Sequence, residues 1–372
     1  MKLTIERAAL LRSLNHIQSV VERRNTIPIL ANVMVEANDA GVNLTATDMD
    51  ISIVESVAAT AAVTGATTAP AHTLYDIVRK LPDGAQIELD AGGESDRLTL
   101  RAGRSRFTLS TLPTADFPTM SAGDLPYSFA ISAGDLRALV DRTRFAISTE
   151  ETRYYLNGIY LHAVKTDSVP VLRAVATDGH RLARVEMPMP EGAVGMPGII
   201  IPRKTVNEVR KLIDECTGDV EISLSDTKIR FAFDGSVLTS KLIDGTFPDY
   251  EKVIPINNDK LLEVDCRLFA EAVDRVATIS TERSRSVKLE IADNSLTLSA
   301  SSPDAGSATE EIEVSFGKEG LEIGFNSKYL LDIAQQVEGD VAQILFADGA
   351  SPTIVRDSAD GSALYVLMPM RV

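Results

Sequence analysis

Within this chain, the run that looks most like reactive chemistry is Thr177-Asp178-Gly179-His180-Arg181-Leu182, where a carboxylate and an imidazole stand two positions apart. An Asp and a His this close can in principle share a proton, as in a general-base pair. A hydrolase built this way also needs a nucleophile or a cofactor loop. The sequence carries neither a nucleophile elbow nor a glycine-rich phosphate loop of the Walker or dinucleotide type. The histidines His16, His72, His162 and His180 lie far apart, and no pair has the i, i+4 spacing of a helical zinc site. Cys216 and Cys266 lack the spacing of a disulfide framework or zinc site and are expected as small apolar side chains, buried or half-buried. Recognition is thus favoured over catalysis at Asp178–Arg181, with no catalytic residue, no metal and no cofactor implied.

The simplest element to present this run is a glycine turn after a strand at 172–176. A second segment, Thr47-Asp48-Met49-Asp50, keeps the Thr-Asp pair and lacks the His and Arg. The turn therefore belongs to a duplicated fold, and His180 and Arg181 are specific to one copy.

That duplication runs through the chain. Ile5, Leu10 and Leu14 align without gaps with Ile131, Leu136 and Val140, and again with Val264, Phe269 and Val273. Each set predicts a short strand entering an amphipathic helix, with Ser132 and Asp265 as N-caps. A second helix is predicted in each third, at 70–81, 202–213 and 326–337, from the stripes Leu74/Ile77/Leu81, Val206/Val209/Ile213 and Leu330/Ile333/Val337. A polar turn follows each, then alternating segments such as Gln86-Ile87-Glu88-Leu89 that read as strands. Two helices and about eight short strands per third define an α+β fold of three repeated domains with antiparallel sheets. Boundaries are expected near Asp124-Leu125-Pro126 and Pro255-Ile256-Asn257-Asn258, giving domains 1–124, 125–255 and 256–372.

A length of 372 residues suits two or three domains, and 44% hydrophobic with 24% charged residues suits globular cores. Lys2, Glu6 and Arg7 interrupt any apolar leader, and runs such as Ile199–Ile201 fall far short of the roughly 20 residues that span a bilayer. A cytoplasmic protein without membrane contact is expected. The net charge of −16 opposes DNA binding by the whole surface, because phosphate binding rests on Lys and Arg releasing counterions. A local basic face remains open to it. The helical units carry Arg7, Arg12, Arg23, Arg24, Arg79, Lys80, Arg137, Arg142, Arg144, Arg203, Lys204, Arg210, Lys211, Arg267, Arg275, Arg283, Arg285 and Lys328. If the helices face one way, these form a sequence-independent phosphate footprint. The interspersed Glu6, Asp76, Asp135, Glu208, Asp274 and Asp332 support ordinary solvated faces instead.

Arg153-Tyr154-Tyr155-Leu156-Asn157-Gly158, Thr177–Ala183, Phe247-Pro248-Asp249-Tyr250, Tyr365–Arg371 and Asn25–Leu30, in this arrangement on a threefold repeat, resemble the bacterial DNA polymerase III beta subunit, the sliding clamp. The resemblance spans the chain. It implies a head-to-tail homodimer whose six domains close a ring around duplex DNA without sequence specificity. It places Arg24, Tyr154, Tyr155, Arg203 and Lys204 nearest the duplex. An interface of strand edges is implied, with Phe107 and Leu109 of the first domain against Thr278 and Ile279 of the third.

The resemblance further implies a pocket between the second and third domains for short peptides carrying a glutamine and apolar anchors. Its residues would be Leu156, Thr177, Gly179, His180, Arg181, Leu182, Pro248, Lys252, Val253, Asn326, Tyr329, Val366, Met368, Pro369, Met370 and Arg371. The partners implied are the replicative polymerase alpha subunit, the clamp loader, other polymerases, ligase and mismatch-repair proteins, on a cytoplasmic, nucleoid-associated processivity factor. The competing readings are a hydrolase using Asp178, His180 and Arg181, and a monomeric peptide-binding scaffold.

Overall fold

The computed structural model describes residues 1–92, 96–121, 123–165, 169–280 and 285–371; Arg283 of the basic set lies outside them. Among the described residues there are six α-helices and 26 strands. The first third runs β1 Lys2–Glu6, α1 Arg7–Val20, β2 Asn32–Asn38, β3 Gly41–Thr47, β4 Ile51–Val57, β5 Thr60–Val63, β6 Gly65–Pro70, α2 Ala71–Lys80, β7 Gln86–Asp90, β8 Arg97–Ala102 and β9 Ser105–Ser110. The middle third runs β10 Tyr127–Ser132, α3 Ala133–Arg144, β11 Gly158–Lys165, β12 Pro170–Thr177, β13 Arg181–Pro188, β14 Ile199–Pro202, α4 Arg203–Ile213, β15 Asp219–Leu224, β16 Lys228–Ala232 and β17 Ser236–Lys241. The last runs β18 Lys260–Asp265, α5 Cys266–Ala277, β19 Ser286–Ala292, β20 Ser295–Ser302, β21 Gly306–Glu313, β22 Ser315–Phe316, β23 Leu321–Asn326, α6 Ser327–Ala334, β24 Val341–Phe346, β25 Thr353–Asp357 and β26 Ala363–Leu367.

Helices α1, α3, α5 and α6 begin where side chains satisfy their first free N–H groups. Ser132 accepts from the Asp135 N–H at 3.0 Å and donates to the Asp135 carboxylate at 2.7 Å, a reciprocal cap on α3. Asp265 caps α5 through Leu268, and Glu6 caps α1 through Ala9. The repeated stripes Leu10/Leu14, Leu136/Val140 and Phe269/Val273 are buried, as the periodicity requires. Two helices are shorter than their stripes: α2 closes at Lys80, one residue before Leu81, and α6 closes at Ala334, where Gln336 and Val337 donate to Ile333 and Ala334 in a tightened final turn.

The strands form sheets ordered β5-β1-β7-β8-β9, β10-β15-β16-β17-β4-β3-β2-β6, β14-β11-β12-β13-β26-β25-β24-β18-β22 and β21-β20-β19-β23. Two ladders join one third to another. Ser236–Ser240 of β17 run antiparallel to Glu55–Ile51 of β4, and Arg181–Val185 of β13 run antiparallel to Leu367–Ala363 of β26. By position in the repeat, β4, β13 and β21 are equivalent, as are β17, β26 and β9. The third such pair, β21 and β9, stays unjoined within the chain, and each lies at a sheet edge.

The chain gathers into two compact units: Met1–Arg137 with Pro190–Pro197 and Lys204–Leu242, and Ala138–Met189 with Gly198–Arg203 and Ile243–Val372. In the first, His16 is buried with its Nδ1 3.0 Å from Glu55 and its Nε2 3.1 Å from Glu215. Burial alone would lower its pKa; the bonds and charges of Glu55 and Glu215 prevail and hold it above the ordinary value. Ser236 donates to the same Glu55 at 2.8 Å, and Arg12 pairs with Glu215.

Between the two readings of the helix cations, the structure favours ordinary helix faces for many of them, which are engaged within the chain: Arg7 with Asp83, Arg137 with Asp214, Arg142 with Glu338 and Asp360, Lys211 with Glu208, and Arg275 with Glu310. Thr278 and Ile279, expected on a strand edge, instead close α5, Thr278 being its C-cap. The edge strand of that third is β21, tied to α5 by the Arg275–Glu310 pair at 2.6 Å. No described helix is long and apolar enough to cross a membrane.

Candidate functional site

The Thr177–Arg181 turn is built by its own side chains. Asp178 Oδ1 accepts from the N–H groups of His180 and Arg181 at 2.9 and 3.0 Å, and Thr177 Oγ1 donates to the Arg181 carbonyl at 2.7 Å. Gly179 supplies the left-handed residue, with φ +87°. The other Asp178 oxygen takes Arg181 Nε at 3.1 Å, so the carboxylate serves the turn and the guanidinium rather than the imidazole. His180 points its exposed ring onto Tyr329, with centroids 6.3 Å apart. That geometry removes the support for a proton-sharing Asp–His pair.

Arg181 is a tie rather than an open donor. It is 7% exposed, donates to Asp332 and to the Phe145 carbonyl, and lies 4.3 Å from the Tyr329 ring centroid and 5.1 Å from that of Phe145. A planar guanidinium can fill both roles at once, bonding in its plane and stacking on its faces.

Two cavities share this tie, and a third has other walls. The first, about 150 Å³, is lined by Leu156, Thr177, Gly179, Arg181, Leu182, Pro248, Asp249, Tyr250, Val253, Val366 and Met368. The second, about 530 Å³, shares Arg181 and gathers His180, Tyr329, Arg144, Arg203, Lys328, Glu150 and Asp332. The third, about 780 Å³, has Pro369, Met370 and Arg371 beside Lys288, Glu322 and Gly324. Of the expected peptide residues, Leu156, Thr177, Gly179, Arg181, Leu182, Pro248, Val253, Val366 and Met368 line the small cavity, His180 and Tyr329 the second, and Pro369, Met370 and Arg371 the third. Lys252 lines none of the three and pairs with Asp249 at 2.9 Å; Asn326 likewise lines none and caps α6 through Lys328. Asp249 and Tyr250 were missed as site residues. The signal was present, since they directly follow Phe247-Pro248.

The small cavity is hydrophobic because its walls belong to the core of the second unit. Leu156, Leu182, Tyr250 and Val366 pack with Val175, Ile200 and Phe247. Backbone bonds fix the rim, with Met368 N–H donating to His180 O at 2.9 Å and Met370 N–H to Gly324 O at 2.7 Å.

The residues expected near a duplex differ in availability. Arg24 and Arg203 are exposed, and Tyr154 is 54% exposed with its ring edge-on to half-buried Tyr155. Lys204 is occupied: it donates to Asp48, to Glu22 at 3.1 Å and to the Val20 carbonyl at 3.3 Å. Burial alone would lower the Lys204 pKa, and Asp48 with Glu22 raises it above the ordinary value. Glu150 pairs with Arg153 at 3.2 Å. Burial pushes the Cys266 thiol up to about 11, away from the reactive thiolate, and Cys216 is half-buried.

Repeated helix-and-sheet units stitched by main-chain ladders, with a small apolar cavity in one of them, define a modular protein of the clamp type. The comparisons agree along the full chain. Models of the DNA polymerase III beta subunit match its N-terminal domain at residues 1–121, its central domain at 130–249 and its C-terminal domain at 251–371. The chain belongs to the bacterial DNA polymerase III beta subunit family. It is 56% identical over 372 residues to the beta sliding clamp of Caulobacter vibrioides (strain NA1000 / CB15N), covering all of both chains. It is 38% identical over 373 residues to that of Escherichia coli (strain K12), again covering all of both. The crystal structure of the C. crescentus beta sliding clamp matches with TM-score 0.98 at 56% identity, over 100% of this chain and 99% of that one. A Bartonella birtlesii sliding clamp bound to griselimycin matches with TM-score 0.97 at 51% identity, over all of both chains.

Proposed function

We propose that this chain is a non-enzymatic processivity factor: two copies, head to tail, close a ring on duplex DNA and tether the replicative polymerase through the small apolar cavity. The carrying observation is the pair of equivalent ladders, β4 with β17 and β13 with β26, which leaves β21 and β9 as unjoined edges. Satisfying them between copies repeats the same junction, and closure after two subunits ends the assembly. Charge supports this pairing. β9 carries Arg106 and the turn before it Arg104, whereas β21 carries Glu310, Glu311 and Glu313. Phe107 and Leu109 lie on β9, and Thr278 with Ile279 flanks β21 from the end of α5.

Arg24, Arg203 and Tyr154, with Tyr155 behind, are assigned to the DNA side, and Lys204 contributes less because its ammonium is held by Asp48 and Glu22. A closed ring needs only weak, salt-sensitive phosphate contacts, since release requires opening. Domains 1–124, 125–255 and 256–372 are the units of the ring. The polymerase alpha subunit, the clamp loader, other polymerases, ligase and mismatch-repair proteins are its proposed partners, on nucleoid-associated protein in the cytoplasm.

The test is retention on nicked circular plasmid after loading by a clamp loader with ATP, then linearisation by one restriction cut. Release on cutting is the expected result. Persistence after cutting, or no retention beside a control clamp that loads, overturns the ring.

A further inference from the structure

The small cavity has one wall fixed by polar chemistry. Tyr250 is 5% exposed, and its hydroxyl accepts from Arg173 Nη1 at 2.8 Å and lies 3.0 Å from His162 Nε2. Arg173 is itself buried and held, through Nε by Glu186 at 3.0 Å and through Nη1 by Glu251 at 2.8 Å. The Tyr250 ring is also confined. It stands edge-on to His162 and to Phe247, at 5.7 and 6.5 Å, and both of those rings stack on Tyr160, at 4.5 and 4.8 Å.

Proton roles follow from these contacts. Burial, then the charge of Arg173, pushes His162 down to about 4, so at neutral pH its imidazole is neutral. Burial raises the Tyr250 pKa, so its phenol keeps its proton. With Arg173 donating to the oxygen, the Tyr250 O–H is left to donate to His162 Nε2.

The same cavity is lined by Met368, a flexible thioether that accommodates varied shapes. A cavity of about 150 Å³ is the size of one that takes a benzene ring. We infer that Arg173 and His162 are positioning residues that, by pinning Tyr250, limit the apolar anchor of a bound peptide to one Leu- or Phe-sized side chain and reject a Trp. This rests on the peptide-binding reading of the cavity. Releasing the wall lets it yield, so a Leu anchor binds less tightly and a Trp anchor is penalised less.

The experiment uses the full chain and three fluorescent peptides, each with a glutamine and two apolar positions, the last being Leu, Phe or Trp. Dissociation constants are read by polarisation at pH 7.5 for wild type, Tyr250→Phe and Arg173→Lys. Wild type is expected to prefer Leu over Trp by about tenfold, in line with the discrimination typical of an apolar pocket. Tyr250→Phe, which keeps the ring and removes the hydroxyl, is expected to cut that ratio at least about threefold, with Arg173→Lys intermediate because it restores one donor. A ratio unchanged in Tyr250→Phe, whether or not all three peptides weaken together, overturns the inference, as does a wild type indifferent to anchor size. A wild type that binds none of the three overturns the peptide-binding reading itself.

Discussion

The turns at Thr47–Ile51 and Thr177–Arg181 share one hydrogen-bond scheme and serve different ends. In the first, Asp48 Oδ1 accepts from Asp50 and Ile51 at 2.9 and 2.8 Å, and Thr47 Oγ1 donates to the Ile51 carbonyl at 2.9 Å. Asp178 and Thr177 repeat each of these bonds. Even the left-handed residue recurs, with Met49 at φ +79° and Gly179 at +87°. What differs is the partner of the spare carboxylate oxygen. Asp48 takes Lys204, reached from another element, while Asp178 takes Arg181 of its own turn, which then extends to Asp332 and the faces of Tyr329 and Phe145. The duplicated backbone supplies a scaffold; one cation turns the second copy into the junction of two cavities.

Replacing the two cations gives the largest contrast. Arg181→Ala leaves Asp178 and Asp332 facing each other without their cation and should cost about 3–5 kcal/mol, as for other buried pairs broken on one side. Lys204→Ala removes a half-exposed ammonium and should cost about 1 kcal/mol or less. Urea denaturation measures both, and equal losses would erase the distinction between the turns.

Next comes pH, because the two units bury histidines with opposite shifts. His162 titrates near 4 when folded and near 6.5 when unfolded, so the unfolded chain binds the extra proton in between. Stability should therefore fall by about 2–3 kcal/mol as pH drops through that window. His16 is raised above 6.5, so its contribution is fully present below that value and is lost as pH rises through the folded pKa. Melting curves across pH 4–9 should show His162→Phe flattening the acid limb and His16→Gln the limb above pH 6.5. If either substitution moves the other's limb, the assignment is wrong.

Gly179→Ala should cost about 1–2 kcal/mol, because a Cβ in the left-handed region crowds its own backbone. That Cβ would also lie 2.7 Å from Arg153 Nη1, a flexible end able to move. Gly179 lines the small cavity, so peptide affinity should fall as well, which calorimetry would record. The matching change in the first turn, Met49→Gly, relieves backbone strain while adding unfolded-state freedom, and should alter stability by no more than about 1 kcal/mol. Peptide binding should be unaffected by it.

Much of the fold was legible because helix and strand patterns report local burial. Leu10/Leu14 and their repeats gave helices whose stripes face the core, and Ser132 and Asp265 cap as their types and positions require. Of the site, Leu156, Leu182, Pro248, Val366 and Met368 came from motif resemblance and do meet at one cavity. Arg181 was harder to read. An arginine beside a turn can reach for a ligand or close on its own chain, and only the positions of Asp332 and Tyr329 decide between them. Thr278 and Ile279, implied to face Phe107 and Leu109, follow the end of α5 rather than lie on a strand, and the edge strand β21 is tied to that helix by Arg275 and Glu310.

The sequence by itself determined the threefold repeat, the alternation of helices and strands, and the turn that presents His180, because each depends on residues within a few positions of one another. Only the tertiary structure decided which cations remain exposed and which wall of the cavity is rigid. Arg12 meets Glu215 and Lys204 meets Asp48 across more than 150 residues, and Arg173 finds Tyr250 across 77. An ion pair forms when folding brings its two groups within a few ångströms and strips away their water, and separation along the chain carries no record of that distance.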